Sequence, residues 1–182
     1  MKIIKIILAS LILLLIGIRA LSINIEEARP VFKEIGFLCS IFNTYCTVSD
    51  VVDNHLLAQT QFGGRIIVSS GLIGKLNVNQ LRAVLYHEAG HAVFKHPEKT
   101  YRYYIDCMPD KCNETIYNSM RRQFELQADR FSALVLKYTN QDEGLSEALL
   151  IVTPIDQVNV THPSHPSTME RIERIRRIYY GQ

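Results

Sequence analysis

The chain lacks the excess of one charge that nucleic-acid binding draws on. Its 20 basic and 18 acidic residues leave a net charge of only +2, so there is no electrostatic case for nucleic acid as a partner. It has no internal repeat and no low-complexity run, which argues against solenoids and against compositional linkers. No cysteine closely follows the apolar N-terminal run, so a lipid-anchored cysteine at a processed terminus is not supported. What remains is ordinary: 182 residues, 47% hydrophobic and 21% charged, the size and composition of one globular domain with its own core.

The start of the chain differs from the rest. Lys2 and Lys5 precede an apolar run from Ile6 to Ile18, which Arg19 closes, with the small residues Ala20 and Ser22 just beyond. This pattern fits an export signal cleaved after Ser22. Counted from Ile3 to Leu21, the run also approaches the length of about 20 apolar residues that a retained membrane anchor needs. A buried core helix fits poorly, because the run has no polar face. The expected organisation is therefore residues 1–22 as signal peptide or N-terminal anchor, and 23–182 as the working domain.

Four cysteines agree with export. Cys39 pairs locally with Cys46, and Cys107 with Cys112 around a Pro109-Asp110 turn, in the simplest of three connectivities. Four unlinked thiols are the alternative. Neither pair has the spacing and His partners of a structural zinc site.

The pattern along the chain is helical from Asn24 to Phe42, with Pro30 expected to break or restart that helix. Strand-like stretches follow at 46–52, 54–59 and 65–69, the last two joined through Gly63-Gly64. Asn77, with Gln80 three residues on, predicts a capped helix running to about His96 before Pro97. Long and short helices are predicted over 114–138 and 145–151. Ser167, with Glu170, caps a last helix after a loop at 153–166. Helix, small sheet, then helices reads as α+β.

The chemistry lies in His87-Glu88-Ala89-Gly90-His91. Two His four positions apart on a helix stand one above the other, so both imidazoles reach one ion. Glu88 leans toward the same ion without binding it, placed to move a proton between a water and a leaving amine. A third ligand leaves one position open for water. Glu125 offers it, and Asp129, one turn later, is placed to accept a hydrogen bond from the outer nitrogen of a ligand His. Their neighbours Phe124, Leu126, Ala128 and Phe131 are apolar, and buried carboxylates need a cation or donors.

These segments, followed by His165-Pro166-Ser167-Thr168-Met169-Glu170-Arg171-Ile172, resemble three successive signatures of the gluzincins of peptidase family 48. The group includes CAAX prenyl endopeptidases and periplasmic quality-control proteases. The stretch from Arg65 to Ile73 resembles the family's strand-then-helix lead-in to its metal helix, and the likeness covers about Val51 to Ile178. The resemblance implies a mainly helical zincin-like fold with a small antiparallel sheet and one Zn2+ per chain. It implies zinc-dependent endopeptidase activity on extended or misfolded polypeptides, outside the cytoplasm: periplasmic, secreted, or membrane-anchored with the catalytic domain outside. It further implies that His165 faces the substrate carbonyl, rather than the nearby His162, and that Arg171 orients that loop or stabilises negative charge. Ile66, Ile67 and Val68 would form the edge strand that binds substrate by backbone pairing. His96 resembles a common family position and reads as structural, helping close the metal helix. Two alternatives stand beside this reading: a zinc module that holds unfolded chains without cutting them, and a latent protease whose 153–166 loop covers the open metal position.

Overall fold

The structure is a computed structural model, described over residues 23–107 and 112–181. The N-terminal export or anchor segment and the Pro109-Asp110 turn lie outside the described residues. Among the described residues, no helix is long and apolar enough to cross a membrane.

Helix α1 (Ile25–Ile41) starts on a capping box in which Asn24 and Glu27 satisfy each other's backbone N–H groups. Pro30 neither breaks nor restarts it. Its ring sits on the exposed face, while Ala28, Val31, Ile35 and Cys39 form a buried stripe that holds the helix through the missing N–H. The Cys39–Cys46 disulfide ties the end of α1 to the sheet.

The sheet contains β1 (Thr47–Val51), β2 (Ala58–Thr60) and β3 (Arg65–Ser69) in the order β1-β3-β2. It is mixed rather than antiparallel: β3 pairs parallel with β1 and antiparallel with β2. The expected substrate-binding edge at Ile66, Ile67 and Val68 is therefore corrected. These residues form the middle strand, with both flanks occupied, and Ile66 and Val68 are buried. The turn at Phe62–Gly64 folds β2 back onto β3, so β2 is the edge. Gly64 must be glycine there: its φ is +79°, and a Cβ would lie 2.0 Å from the Tyr45 carbonyl oxygen.

A short helix α2 (Ser70–Ile73), capped by Ser69, leads to α3 (Val78–Val93), whose Asn77–Gln80 capping box forms as expected. Helix α3 is the hub, packing against α1, the sheet and three later helices. It stops short of the expected His96. Lys95 adopts a left-handed φ of 55°, and a new helix, α4 (His96–Cys107), begins where a polar stretch was expected. Pro97 falls in its first turn, where the absent N–H has no intrahelical partner to lose. Cys107 ends α4 and is disulfide-bonded to Cys112. Helices α5 (Glu114–Tyr138), α6 (Leu145–Val152) and α7 (Thr168–Tyr180, capped by Ser167) complete the mainly helical α+β domain.

Candidate functional site

The site is assembled where α3 and α5 cross. Gly90, inside the His-Glu pentapeptide, sets their approach: a Cβ there would lie 3.1 Å from Ala128 Cα and 3.2 Å from Phe131 Cβ. Ser132 Oγ donates to the Ala83 carbonyl across the same interface. At this separation Glu125 reaches the two imidazoles of α3. The His87 and His91 Nε2 atoms are 3.1 Å apart, and the Glu125 carboxylate oxygens lie 3.5 Å from one and 3.7 Å from the other. Ligands bonded to one tetrahedral zinc at its usual bond lengths are about 3.4 Å apart. Three potential ligand atoms of these residues lie within 4.8 Å of one another, so the donor set fits a single ion.

The charge around the cluster points the same way. Glu88 and Asp129 are buried carboxylates, Glu125 is nearly so, and the mostly buried Arg171 guanidinium faces Glu125 and Asp129. Arg171 and a charged His87 offset two of these three carboxylates, and a cation on the His87–His91–Glu125 set would take the place of the His87 proton. Burial opposes charge on His87, but Asp129 and Glu125 outweigh it and push its pKa up to about 10. His91 is pushed down to about 3 by burial and by the charge on His87. Although burial opposes it, Glu125 is held below the usual carboxylate range by His87, Arg171 and His91. Asp129 is likewise lowered to about 2, Arg171 and His87 outweighing its burial.

Asp129 Oδ1 lies 2.9 Å from His87 Nδ1, a contact outside strict hydrogen-bond geometry; Nδ1 has no other partner, so Asp129 is its nearest acceptor. Arg171 does not reach into the 153–166 loop. Its Nε and Nη2 donate to both Asp129 oxygens at 2.9 and 2.7 Å, a bidentate clamp, and its Nη1 lies 3.5 Å from Glu125. His165 stands at the mouth of the site, half-buried, with Nε2 3.8 Å from Glu125 Oε1 and 3.5 Å from Arg121 Nη2. The buried Ser164 hydroxyl lies between His165 Nδ1 and His162 Nδ1, at 2.8 and 2.9 Å. Of the two loop histidines, His165 lines the cleft and His162 does not.

Glu88 is buried, with its pKa raised by desolvation against the pull of His87 and Thr60. Thr60, the last residue of β2, places its Oγ1 2.7 Å from Glu88 Oε2 and 2.7 Å from the Glu88 carbonyl oxygen. Nothing in the sequence marks Thr60; its partner is 28 positions away. Arg121 is also unmarked, because its approach to His165 depends on which face of α5 meets the loop. Neither was recognisable from spacing alone.

The His87–His91–Glu125 set, Glu88, Thr60, Arg121, His165 and Arg171 line one cleft of about 1160 Å3, which runs along β2 and its flanks from Leu56 to Phe62. Its apolar lining includes Leu72, Val84, Leu145, Ala148, Leu149 and Val152.

Compared with known proteins, the chain matches the model of Peptidase family M48 over residues 31–108 and 110–179. It matches no curated protein.

Proposed function

The chain belongs to Peptidase family M48, whose members are metallopeptidases, and from that premise we propose that it is a zinc-dependent endopeptidase. Its substrates are extended or misfolded polypeptides, cleaved outside the cytoplasm as part of protein quality control. The observation that carries the reading is the base: Glu88 is buried beside the His87–His91–Glu125 donor set, with its oxygen held by Thr60. A zinc-holding module with no cutting role has no need for a carboxylate placed that way.

Zinc held by His87, His91 and Glu125 would supply Lewis acidity, lowering the pKa of a coordinated water to about 7. The Glu88 carboxylate takes a proton from the attacking water as its oxygen adds to the scissile carbonyl carbon. Glu88 then gives that proton to the amide nitrogen as the C–N bond breaks. Arg121, and His165 in the tautomer that carries its proton on Nε2, face the cleft and would donate to the carbonyl oxygen as charge develops on it. Asp129 and Arg171 keep His87 and Glu125 oriented.

An extended substrate would pair with the free edge of β2. Backbone pairing selects for extended chains of any sequence, which suits misfolded polypeptides. The apolar residues of the cleft lining favour a bulky apolar side chain beside the scissile bond. Two disulfides accord with an oxidising compartment, and residues 1–22 would direct the domain there, cleaved or retained as an anchor. The test is Glu88→Gln: the variant should hold zinc at wild-type stoichiometry and lose cleavage of unfolded casein. Retained cleavage would refute the assignment of the base.

A further inference from the structure

His96 opens α4 directly after the break at Lys95, and the turn swings its ring back toward the metal helix. Phe124 stacks on it with ring centres 4.0 Å apart and planes within 9°, and Phe94 stacks at 5.6 Å. Stacked in this way, the ring makes its polar contacts through its two nitrogens. Nδ1 lies 2.9 Å from His91 Nδ1, and Nε2 lies 3.0 Å from Gln127 Oε1. His96 is 2% exposed, so its ring nitrogens are shielded from water, while Gln127 reaches Nε2 from the exposed side of α5.

We propose that Gln127 and His96 form a proton-ordering relay that sets which nitrogen of His91 is free to bind metal. This rests on His91 being a zinc ligand and goes beyond it by assigning functions to two residues outside the donor set. The argument is a count of protons. A His91 that gives its Nε2 lone pair to zinc keeps its single ring proton on Nδ1. That proton points at His96 Nδ1, which must then offer a lone pair. The proton of neutral His96 is therefore on Nε2, directed at the Gln127 amide oxygen, which carries none. The opposite polarity is also self-consistent. If the Gln127 amide turned, its NH2 would donate to His96 Nε2, and His96 Nδ1–H would donate to His91 Nδ1. The His91 proton would then sit on Nε2, between the two imidazoles, and block the ligand atom. The amide end of the relay thus chooses between a binding and a non-binding His91. Gln127 is a positioning residue, acting through His96.

A carboxylate at position 127 only accepts, so it locks the binding polarity; an aliphatic side chain of similar size removes the preference. The experiment uses the full chain and zinc itself. Zinc affinity is measured by competition with a chelator for wild type, Gln127→Leu and Gln127→Glu, with thermal melts of each metal-free protein alongside. Imidazole 15N shifts are recorded on the zinc-loaded wild type. The relay predicts that Gln127→Leu weakens zinc binding about 10–100-fold, the usual effect of losing an outer hydrogen bond to a ligand His, with an unchanged melt. Gln127→Glu binds at least as tightly as wild type. The shifts report His96 protonated on Nε2 and bare on Nδ1. Wild-type affinity in Gln127→Leu, or a His96 proton on Nδ1 in the loaded protein, overturns the relay while leaving the zinc site intact. A wild-type chain that does not bind zinc overturns the metal reading and the relay with it.

Discussion

Thr60→Val is the most direct test of how the fold serves the base. Valine matches threonine in shape, so the strand end and its packing are kept and only the hydroxyl is lost. That hydroxyl has one proton and two acceptors at 2.7 Å, the Glu88 carbonyl and Oε2. The carboxylate, when ionised, is the stronger acceptor. Thr60 and Glu88 are each only 8% exposed, so solvent neither screens the contact nor replaces it. A hydrogen bond to a charged group in such a setting contributes about 1.5–3 kcal/mol. If most of that holds Glu88 in its working rotamer, kcat falls by about 10–100-fold. KM should change little, because Thr60 adds one rung at most to substrate pairing along β2. Zinc content should not change, because the Thr60 hydroxyl bonds to Glu88 and not to His87, His91 or Glu125. Steady-state kinetics on a quenched-fluorescence peptide, with zinc measured on the same samples, reads all three quantities. Thr60→Ser, which restores the hydroxyl, should recover most of the loss. Wild-type kcat in Thr60→Val, or a loss that serine does not rescue, would refute the anchoring role.

Three further outcomes are expected. Arg171→Met removes both donors from a buried Asp129 and should destabilise the protein by about 3–5 kcal/mol, the cost of leaving a buried charge unpaired; chemical denaturation measures it, and a loss under 1 kcal/mol would contradict the clamp. In Gly90→Ala, about 1 kcal/mol of helix propensity is gained, but the new methyl meets Ala128 and Phe131 at 3.1–3.3 Å. Overpacking of that kind costs about 1–3 kcal/mol, so α5 should shift and carry Glu125 away. Zinc affinity should fall while the melting temperature drops only slightly, and unchanged affinity would count against Gly90 as the spacer. Tyr86 gives the alkaline limb. Burial and the neighbouring Glu34 carboxylate, which accepts its hydroxyl, raise its pKa above the ordinary 10.0. The stability this pair provides is therefore complete below pH 10 and is lost as pH rises through the folded-state value. Denaturant midpoints of wild type should decline above pH 10, and those of Tyr86→Phe should decline less; parallel curves would refute it.

Local chemistry was readable wherever local physics decides it. Asn24, Asn77 and Ser167 each cap the helix that follows, since a cap needs only neighbours within three residues. The bounds of α5 were likewise legible from its pattern. The break at Lys95 was not, because ending α3 there depends on His96 finding partners on α5, 31 positions away. Pro30 misled for the opposite reason: its local penalty is outweighed by burial of the rest of α1. The sheet misled most. Apolar alternation marks Ile66–Val68 as a strand but cannot say which strands flank it, and the strand expected at the edge lies in the middle.

By itself, the sequence determined the donor types and their helical spacing: His87 and His91 one turn apart, Glu88 between them, and Glu125 and Asp129 one turn apart on a second helix. Such spacings are properties of a single helix and survive any packing. Only the tertiary structure decided the distance between those two helices, the binding of Arg171 to Asp129, and the ties of Thr60 to Glu88 and of Gln127 through His96 to His91. Each of these joins residues far apart in the chain, so it exists only once Gly90 lets the helices close and the turn at Gly63-Gly64 sets β2 beside the cleft.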